Sequence, residues 1–239
     1  MRGSGGSHSI LLLASVLLVT ACSESDLADS SPFDSDFGGA TVKPIPLADA
    51  SVAPGKIFPA YLASTPRGCG FPAIKNPPLL KEFSSDWYTS HLKAAGERSL
   101  PELAANAPQR LHVRFLWLRS FDHPVVVRID EQANGGAVIE AKRLSGAGGY
   151  EPGEIEERLS RELIPTEFRE LKAVLERSRL AKEPAANCDA GADGAQWILE
   201  VVAGGNYSFF ERWTPEDGPV RDVALKMLTL TGWDLEPLY

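Results

Sequence analysis

The sequence lacks two features that would point to common classes of protein. It has no excess of positive charge, since 24 Lys and Arg stand against 32 Asp and Glu and give a net charge of -8. Nucleic-acid-binding proteins concentrate Lys and Arg against phosphates, so we expect no nucleic-acid partner. The most apolar stretch, residues 10–19, holds ten residues, whereas a membrane-spanning helix needs about 20. A membrane span is therefore not expected.

Signatures of known catalytic sites are also missing. The chain contains no GxSxG, HExxH, phosphate-binding loop or paired CxxC pattern. Its densest polar group is Asp122 and His123, just before Pro124. An Asp beside a His can orient a general base, but the same residues are common in turns. We assign no catalytic residue.

The histidines do not predict a metal site. His91, His112 and His123, taken with Asp122, match no known ligand spacing, and a catalytic zinc needs three correctly placed protein ligands. The sequence therefore predicts neither a metal nor another cofactor.

The N-terminus has the pattern of an export signal. Arg2 precedes the apolar run at residues 10–19, and small residues follow it up to Cys22. The segment Val19-Thr20-Ala21-Cys22 resembles the lipobox of bacterial lipoproteins, in which the cysteine is acylated and becomes the new N-terminus. The resemblance implies a signal peptide at residues 1–21 and lipidation of Cys22. The alternative is an ordinary secretory signal with a chance cysteine.

The lipoprotein pattern also predicts where the protein resides. Several acyl chains on one residue give near-permanent membrane attachment. Ser23, rather than Asp, follows the cysteine, and in this sorting pattern that favours the outer membrane over the inner one. We expect a lipid-anchored envelope protein that faces the periplasm.

Composition divides the exported chain into a tether and one domain. Residues 22–66 are rich in Ser, Asp, Pro and Gly, with no helix or strand periodicity, and predict a lipidated cysteine followed by a disordered acidic tether. Residues 67–239 predict one globular domain. With Cys22 acylated, Cys69 and Cys188 remain as a pair in an oxidising compartment and favour a disulfide. Two unpaired thiols are the alternative.

Alternating apolar and polar residues predict five strands. The turns between them contain Asn134-Gly135-Gly136 and Gly204-Gly205, which supply the positive φ angles of hairpins. The strands are expected at residues 111–117, 125–130, 137–144, 196–202 and 207–212.

Residues spaced by three and four predict helices around this sheet. They are expected from Ser85 or Asp86 to about Gly96, over two segments with apolar stripes at residues 155–163 and 168–175, separated or kinked by Pro165, and from Pro219 to near Gly232. The order is helix, three strands, two helices, two strands, helix. This predicts an α+β fold with one antiparallel sheet of about five strands and helices on one face.

Polar residues of the first three strands share one face of the predicted sheet. If no helix covers it, this face presents mixed charge to a protein partner; cross-strand ion pairs on a solvated sheet are the alternative. Residues 145–150 and 193–197 are further candidates, because glycine permits close approach of a ligand and each stretch ends in an aromatic residue. The residues of the possible binding surface are His112, Arg114, Arg128, Lys142, Asp122 and His123.

Several segments resemble a group of uncharacterised bacterial proteins. They are WYTSHL from Trp87, FLWLRSFDHP from Phe115 and DGAQWILE from Asp193. The resemblance implies one shared globular unit and carries no activity.

Three functions are compatible with these observations. The first, which we favour, is a membrane-anchored envelope lipoprotein that acts as a non-enzymatic protein-binding or structural module. The second is a periplasmic inhibitor or immunity protein against a toxin or cell-wall hydrolase. The third is a periplasmic hydrolase that uses Asp122 and His123.

Overall fold

A computed structural model describes residues 43–69 and 76–239, and these residues build a single antiparallel sheet with helices on both sides. The seven strands are arranged in the order β1-β7-β6-β2-β3-β4-β5. Their bounds are β1 Ile45–Pro46, β2 His112–Arg119, β3 Val125–Glu131, β4 Ala137–Leu144, β5 Ile155–Glu162, β6 Ala195–Ala203 and β7 Asn206–Trp213. The helices are α1 Glu82–Ala94, α2 Leu100–Ala104, α3 Pro165–Ser178 and α4 Pro219–Thr229.

The antiparallel sheet and its helices agree with an α+β fold, but the prediction of about five strands is wrong. β1 is a two-residue strand on the edge of β7, too short to show a period. β5 was predicted to be a helix because Ile155, Leu159 and Leu163 follow one another at intervals of four. That interval also places residues on one face of a strand, whose side chains repeat every two residues. The alternating burial of β5 shows that the strand period applies.

Helices cover both faces of the sheet, so the prediction of helices on one face is also wrong. On the front face, Phe115 and Trp197 pack against α3 and α4 through residues such as Phe168 and Met227. On the back face, Leu116 and Ile198 lie in a separate core with Tyr88 and Leu92 of α1 and Leu100 of α2. The central strand β2 is buried along its whole length, as expected for a strand between two layers.

Part of the predicted tether belongs to the folded unit. Ile57, Phe58 and Leu62 are buried in the back-face core, and Leu62 accepts a main-chain hydrogen bond from Leu80. The prediction of a disordered segment up to residue 66 is therefore wrong for residues 43–66. Four large apolar or aromatic residues, Ile57, Phe58, Tyr61 and Leu62, lie in a stretch otherwise rich in Pro and Ser and supply enough burial to order it. Residues 1–42, with the predicted signal peptide and Cys22, lie outside the described residues.

The helix ends follow local chemistry. α1 begins at Glu82, earlier than the predicted Ser85 or Asp86, with an acidic residue in its first turn as the helix dipole favours. α2 was not predicted; the Ser99 side chain accepts a hydrogen bond from the Glu102 amide and caps its start. Pro165 lies at the first turn of α3. Within residues 43–69 and 76–239, none of the helices combines the length and hydropathy needed to cross a bilayer.

Candidate functional site

Connections between strands meet at one end of the sheet, which we call the loop end. It holds the turn at residues 120–124, the loop at residues 145–154 and the segment at residues 188–194. The Ser120 amide donates to the Gly194 carbonyl at 2.8 Å, and the Gly148 amide donates to the Asp122 carbonyl at 3.0 Å. The Trp87 indole of α1 donates to the Gly148 carbonyl at 2.8 Å. These bonds fix the loops to each other and to α1.

A cavity of about 390 Å³ opens at the loop end on the back face of the sheet. We call it the aromatic cleft, because Phe83, Trp87 and Trp213 form its walls. Its volume lies within the ~300–1,000 Å³ typical of small-ligand sites. Lys81 and Asp189 lie exposed at its rim.

Glu211 forms the floor of the cleft and is held by three donors. The Arg67 guanidinium pairs with both carboxylate oxygens at 3.1 and 3.2 Å. The Gln196 side-chain amide donates at 2.5 Å and the Tyr88 hydroxyl at 3.3 Å. Burial, together with the neighbouring Glu211 charge, raises the pKa of Tyr88 well above its usual value, so Tyr88 remains a donor. These bonds hold the Glu211 side chain in place, and the charges of Arg67 and Glu211 balance each other.

The aromatic side chains of the cleft walls pack against each other and against glycines. The Phe83 and Trp87 rings lie 6.3 Å apart between centroids, and Phe83 is 77% exposed. Trp213 packs against Gly191 and Gly194, where an added Cβ would lie 2.5 Å and 2.8 Å from the indole ring. Only glycine permits this approach, so these positions determine where the ring sits.

The disulfide between Cys69 and Cys188 is confirmed and borders the same cleft. It joins residues 119 positions apart, with their Cα atoms 5.8 Å from each other. Beside it, the Arg67 guanidinium donates to the Asn187 carbonyl at 3.1 and 3.2 Å. The bridge therefore ties the segment that carries Arg67 to the one that precedes β6.

The predicted polar binding face of the sheet is covered by α1, α2 and the segment at residues 43–66. Arg114 is fully buried, and His112 and Lys142 are buried as well. Arg128 is partly buried and pairs with Glu97 at 3.0 Å. The prediction that these four residues form a binding surface is wrong, because helices cover both faces of the sheet.

These buried charged side chains form ion pairs and hydrogen bonds with one another or with neighbouring acids. Arg114 donates to Glu200 at 2.8 and 2.5 Å, and Tyr207 donates to the same carboxylate at 2.8 Å. Burial opposes ionisation of Glu97, but the cations Arg128, Arg114 and Lys142 outweigh it and lower the pKa of Glu97. His112 pairs with Asp130 at 2.8 Å. This is the cross-strand pairing given above as the alternative, in a buried rather than a solvated setting.

Asp122 and His123 lie at the surface of the loop end but do not act on each other. The Tyr239 hydroxyl donates to Asp122 at 2.5 Å, and His123 Nδ1 bonds to the Gly146 carbonyl at 3.1 Å. The second ring nitrogen of His123 lies 4.0 Å from Glu156. The carboxylate and imidazole thus lack the contact through which an Asp orients a catalytic His. Among the described residues, no cluster of three His, Cys, Asp or Glu side chains is placed to hold a metal.

The sequence pointed towards the cleft only in part. The two glycine-rich stretches singled out there supply Gly148, Gly194 and Gln196, which contact the cleft or line it. Glu211 and Arg67 were missed. The available signal was the alternation of β7, in which an acid follows Tyr207 and Phe209 on one otherwise aromatic face.

Comparison with known proteins assigns no function to this site. No protein-family model matches the chain, and no curated protein matches it significantly.

Proposed function

We propose that this chain is a lipid-anchored lipoprotein of the bacterial envelope whose folded unit binds another envelope component in the aromatic cleft without transforming it. The anchor rests on the signal-like N-terminus and on Cys22. In this proposal the outer membrane is the host membrane and the cleft faces the periplasm. The observation that carries the binding role is the aromatic cleft itself.

Exposed aromatic rings around a fixed polar floor favour binding. Phe83 is the most exposed large apolar side chain among those described, and it continues the surface of Trp87. Large exposed apolar groups beside a concave site are typical of ligand or partner contacts. Since α1 and α2 cover the polar face of the sheet, the cleft is the stronger binding site.

The chemistry of the floor favours binding over catalysis. A general base has to take up the substrate proton. Glu211 is paired with the Arg67 guanidinium through both carboxylate oxygens and also accepts from Tyr88 and Gln196, so taking up a proton would cost it this bidentate pair, whereas accepting a further hydrogen bond would not. It is suited to fixing the shape of the cleft.

The anchor is tested by metabolic labelling with a radioactive or alkyne-tagged palmitate. We expect label on the wild-type chain and none on Cys22→Ser, with the wild type in the membrane fraction. Unlabelled wild-type protein in the soluble fraction would remove the anchor from the proposal.

The binding role is tested by photo-crosslinking in the native host. A photoreactive residue at position 83 lies on the rim of the cleft, whereas one at position 164, 58% exposed, lies at the opposite end of the sheet. We expect discrete adducts from position 83 and none from position 164. Equal or absent adducts at both positions would contradict binding through the cleft.

A further inference from the structure

The aromatic cleft combines flat apolar walls with a floor that offers hydrogen-bond acceptors. The Trp87 indole already donates to Gly148, so a ligand meets the ring and not its N–H group. With Phe83 beside it, this wall presents two aromatic rings tilted by 36°. Such a surface suits a ligand with a flat apolar face.

The floor leaves acceptors unused. Since a carboxylate can only accept, the group that Gln196 directs at Glu211 is its NH₂, and its carbonyl oxygen is left over. None of the described residues donates to that oxygen, and Gln196 lines the cleft. Glu211 Oε2 accepts only from Arg67, with room for a second donor. A ligand that fills the cleft must therefore bring donors of its own.

The charges around the cleft select against ions. Arg67 and Glu211 neutralise each other on the floor, and Lys81 and Asp189 have opposite signs at the rim. Among the described lining residues, the floor therefore offers an ionic ligand no uncompensated charge, and the rim carries one exposed charge of each sign. A wholly apolar ligand would displace water from the unused acceptors without replacing its hydrogen bonds, which is unfavourable.

We propose that the cleft binds a neutral pyranose ring of an envelope glycan, with its C–H face on Trp87 and Phe83 and its hydroxyl groups donating to Gln196 and Glu211. A pyranose has an apolar face and an edge of hydroxyl donors, which is the combination that the walls and floor require. This inference rests on the proposed function and gives the chemical class of the bound component.

The test uses the full-length mature protein purified in detergent, titrated with chitotriose, cellotriose and glucose. Binding is followed by tryptophan fluorescence and calorimetry. We expect saturable binding of at least one trimer. Tighter binding of the trimer than of glucose would identify a glycan polymer as the ligand, whereas equal affinity would identify a free sugar. Phe83→Ala should weaken binding about three- to ten-fold, the effect expected for loss of one aromatic contact.

Phe121→Ala is the matched control, because Phe121 is also an exposed aromatic residue, 63% exposed, at the loop end, but does not line the cleft. It should bind as the wild type does. Trp87→Phe keeps a ring at the wall and should retain measurable binding, with near-ultraviolet circular dichroism reporting that each variant is folded.

Two results would overturn the inference. One is an equal loss of binding in Phe83→Ala and Phe121→Ala, which would place the sugar elsewhere. The other is absence of sugar binding in a folded protein that still gives a position-83 adduct with a polypeptide, which would leave the proposed function intact with a protein partner. Absence of both would reject the proposed function as well.

Discussion

Glu200 is a buried acid that accepts hydrogen bonds from two buried side chains, Arg114 and Tyr207. Its carboxylate is 2% exposed and neutralises Arg114, whose side chain is 0% exposed. Removing one partner of a buried pair costs about 3–5 kcal/mol. The other acid near Arg114 is Glu97, 3.8 Å away, which already pairs with Arg128 and Lys142. We expect Glu200→Ala to lower the free energy of unfolding by that amount, measured by urea denaturation.

The control for this prediction is the exposed pair of Lys226 and Glu170, 2.7 Å apart. Water screens such pairs, so Glu170→Ala should leave the urea midpoint unchanged. Equal midpoints for Glu200→Ala and wild type would show that the buried pair contributes nothing.

His91 makes stability depend on pH. Its ring is fully buried and donates from Nδ1 to the Trp87 carbonyl at 2.9 Å. Burial lowers the pKa of His91, and this outweighs the hydrogen bonds to the Trp87 and Ala147 main chain and the Glu151 carboxylate, which oppose it. Between the lowered pKa and the unfolded value of about 6.5, only the unfolded chain takes up the proton. Stability is therefore full above pH ~6.5 and falls as the pH drops below it.

Urea midpoints measured between pH 8 and pH 5 check this expectation. His91→Gln should show a shallower decline than the wild type, with a residual slope from His112, whose pKa burial also lowers. Parallel curves for the two proteins would exclude His91 as the source.

The disulfide stabilises the connection between the segment that carries Arg67 and the start of β6. Closing a loop of 119 residues removes chain entropy from the unfolded state that corresponds to about 4–5 kcal/mol. We expect the double variant Cys69→Ala, Cys188→Ala to unfold at a lower urea concentration, by up to this free energy.

A reductant supplies the control for the same element. It should move the wild-type midpoint to that of the double variant and leave the double variant unchanged. A reductant-insensitive wild type would mean that the thiols are not bonded in solution.

Sequence patterns predicted the elements with unambiguous periods. β4 has the bounds predicted for it, and the Gly204-Gly205 hairpin joins β6 to β7, because alternation and positive φ each indicate one structure. The prediction for β5 was wrong because apolar residues at intervals of four are compatible with both a helix and a strand. α2 and β1 have five and two residues, too few to show any period.

The cleft was less predictable than the sheet for a physical reason. Its floor joins Arg67 to Glu211 across 144 positions of sequence, and no local pattern encodes such a distance. Gly194, which packs against Trp213, lies in a stretch singled out from the sequence, but neither its contact with Trp213 nor that of Gly191 was predicted. The buried face was misjudged because its polar residues are neutralised by acids such as Glu97 and Glu200, which lie outside the three strands considered.

The folded unit begins before residue 67. Ile57, Phe58 and Leu62 are buried, and burial of each large apolar side chain contributes about 1.5–3 kcal/mol. A chain that begins at Lys43 should therefore unfold at a clearly higher temperature than one that begins at Arg67. Circular dichroism checks this, and identical unfolding temperatures would show that residues 43–66 add no stability.

The sheet's outer strands also determine how copies of the molecule meet. None of the described strands pairs with the second edge of β5. Five of its eight residues are charged, and Glu156, Arg158 and Glu162 are exposed. A strand from another copy would have to pair beside these charges, which disfavours cross-chain ladders. At the other edge, β1 covers the first two residues of β7, and the segment at Ala185 and Ala186 pairs with β7 at Glu211. The protein should accordingly resist aggregation through its sheet even when many copies crowd together.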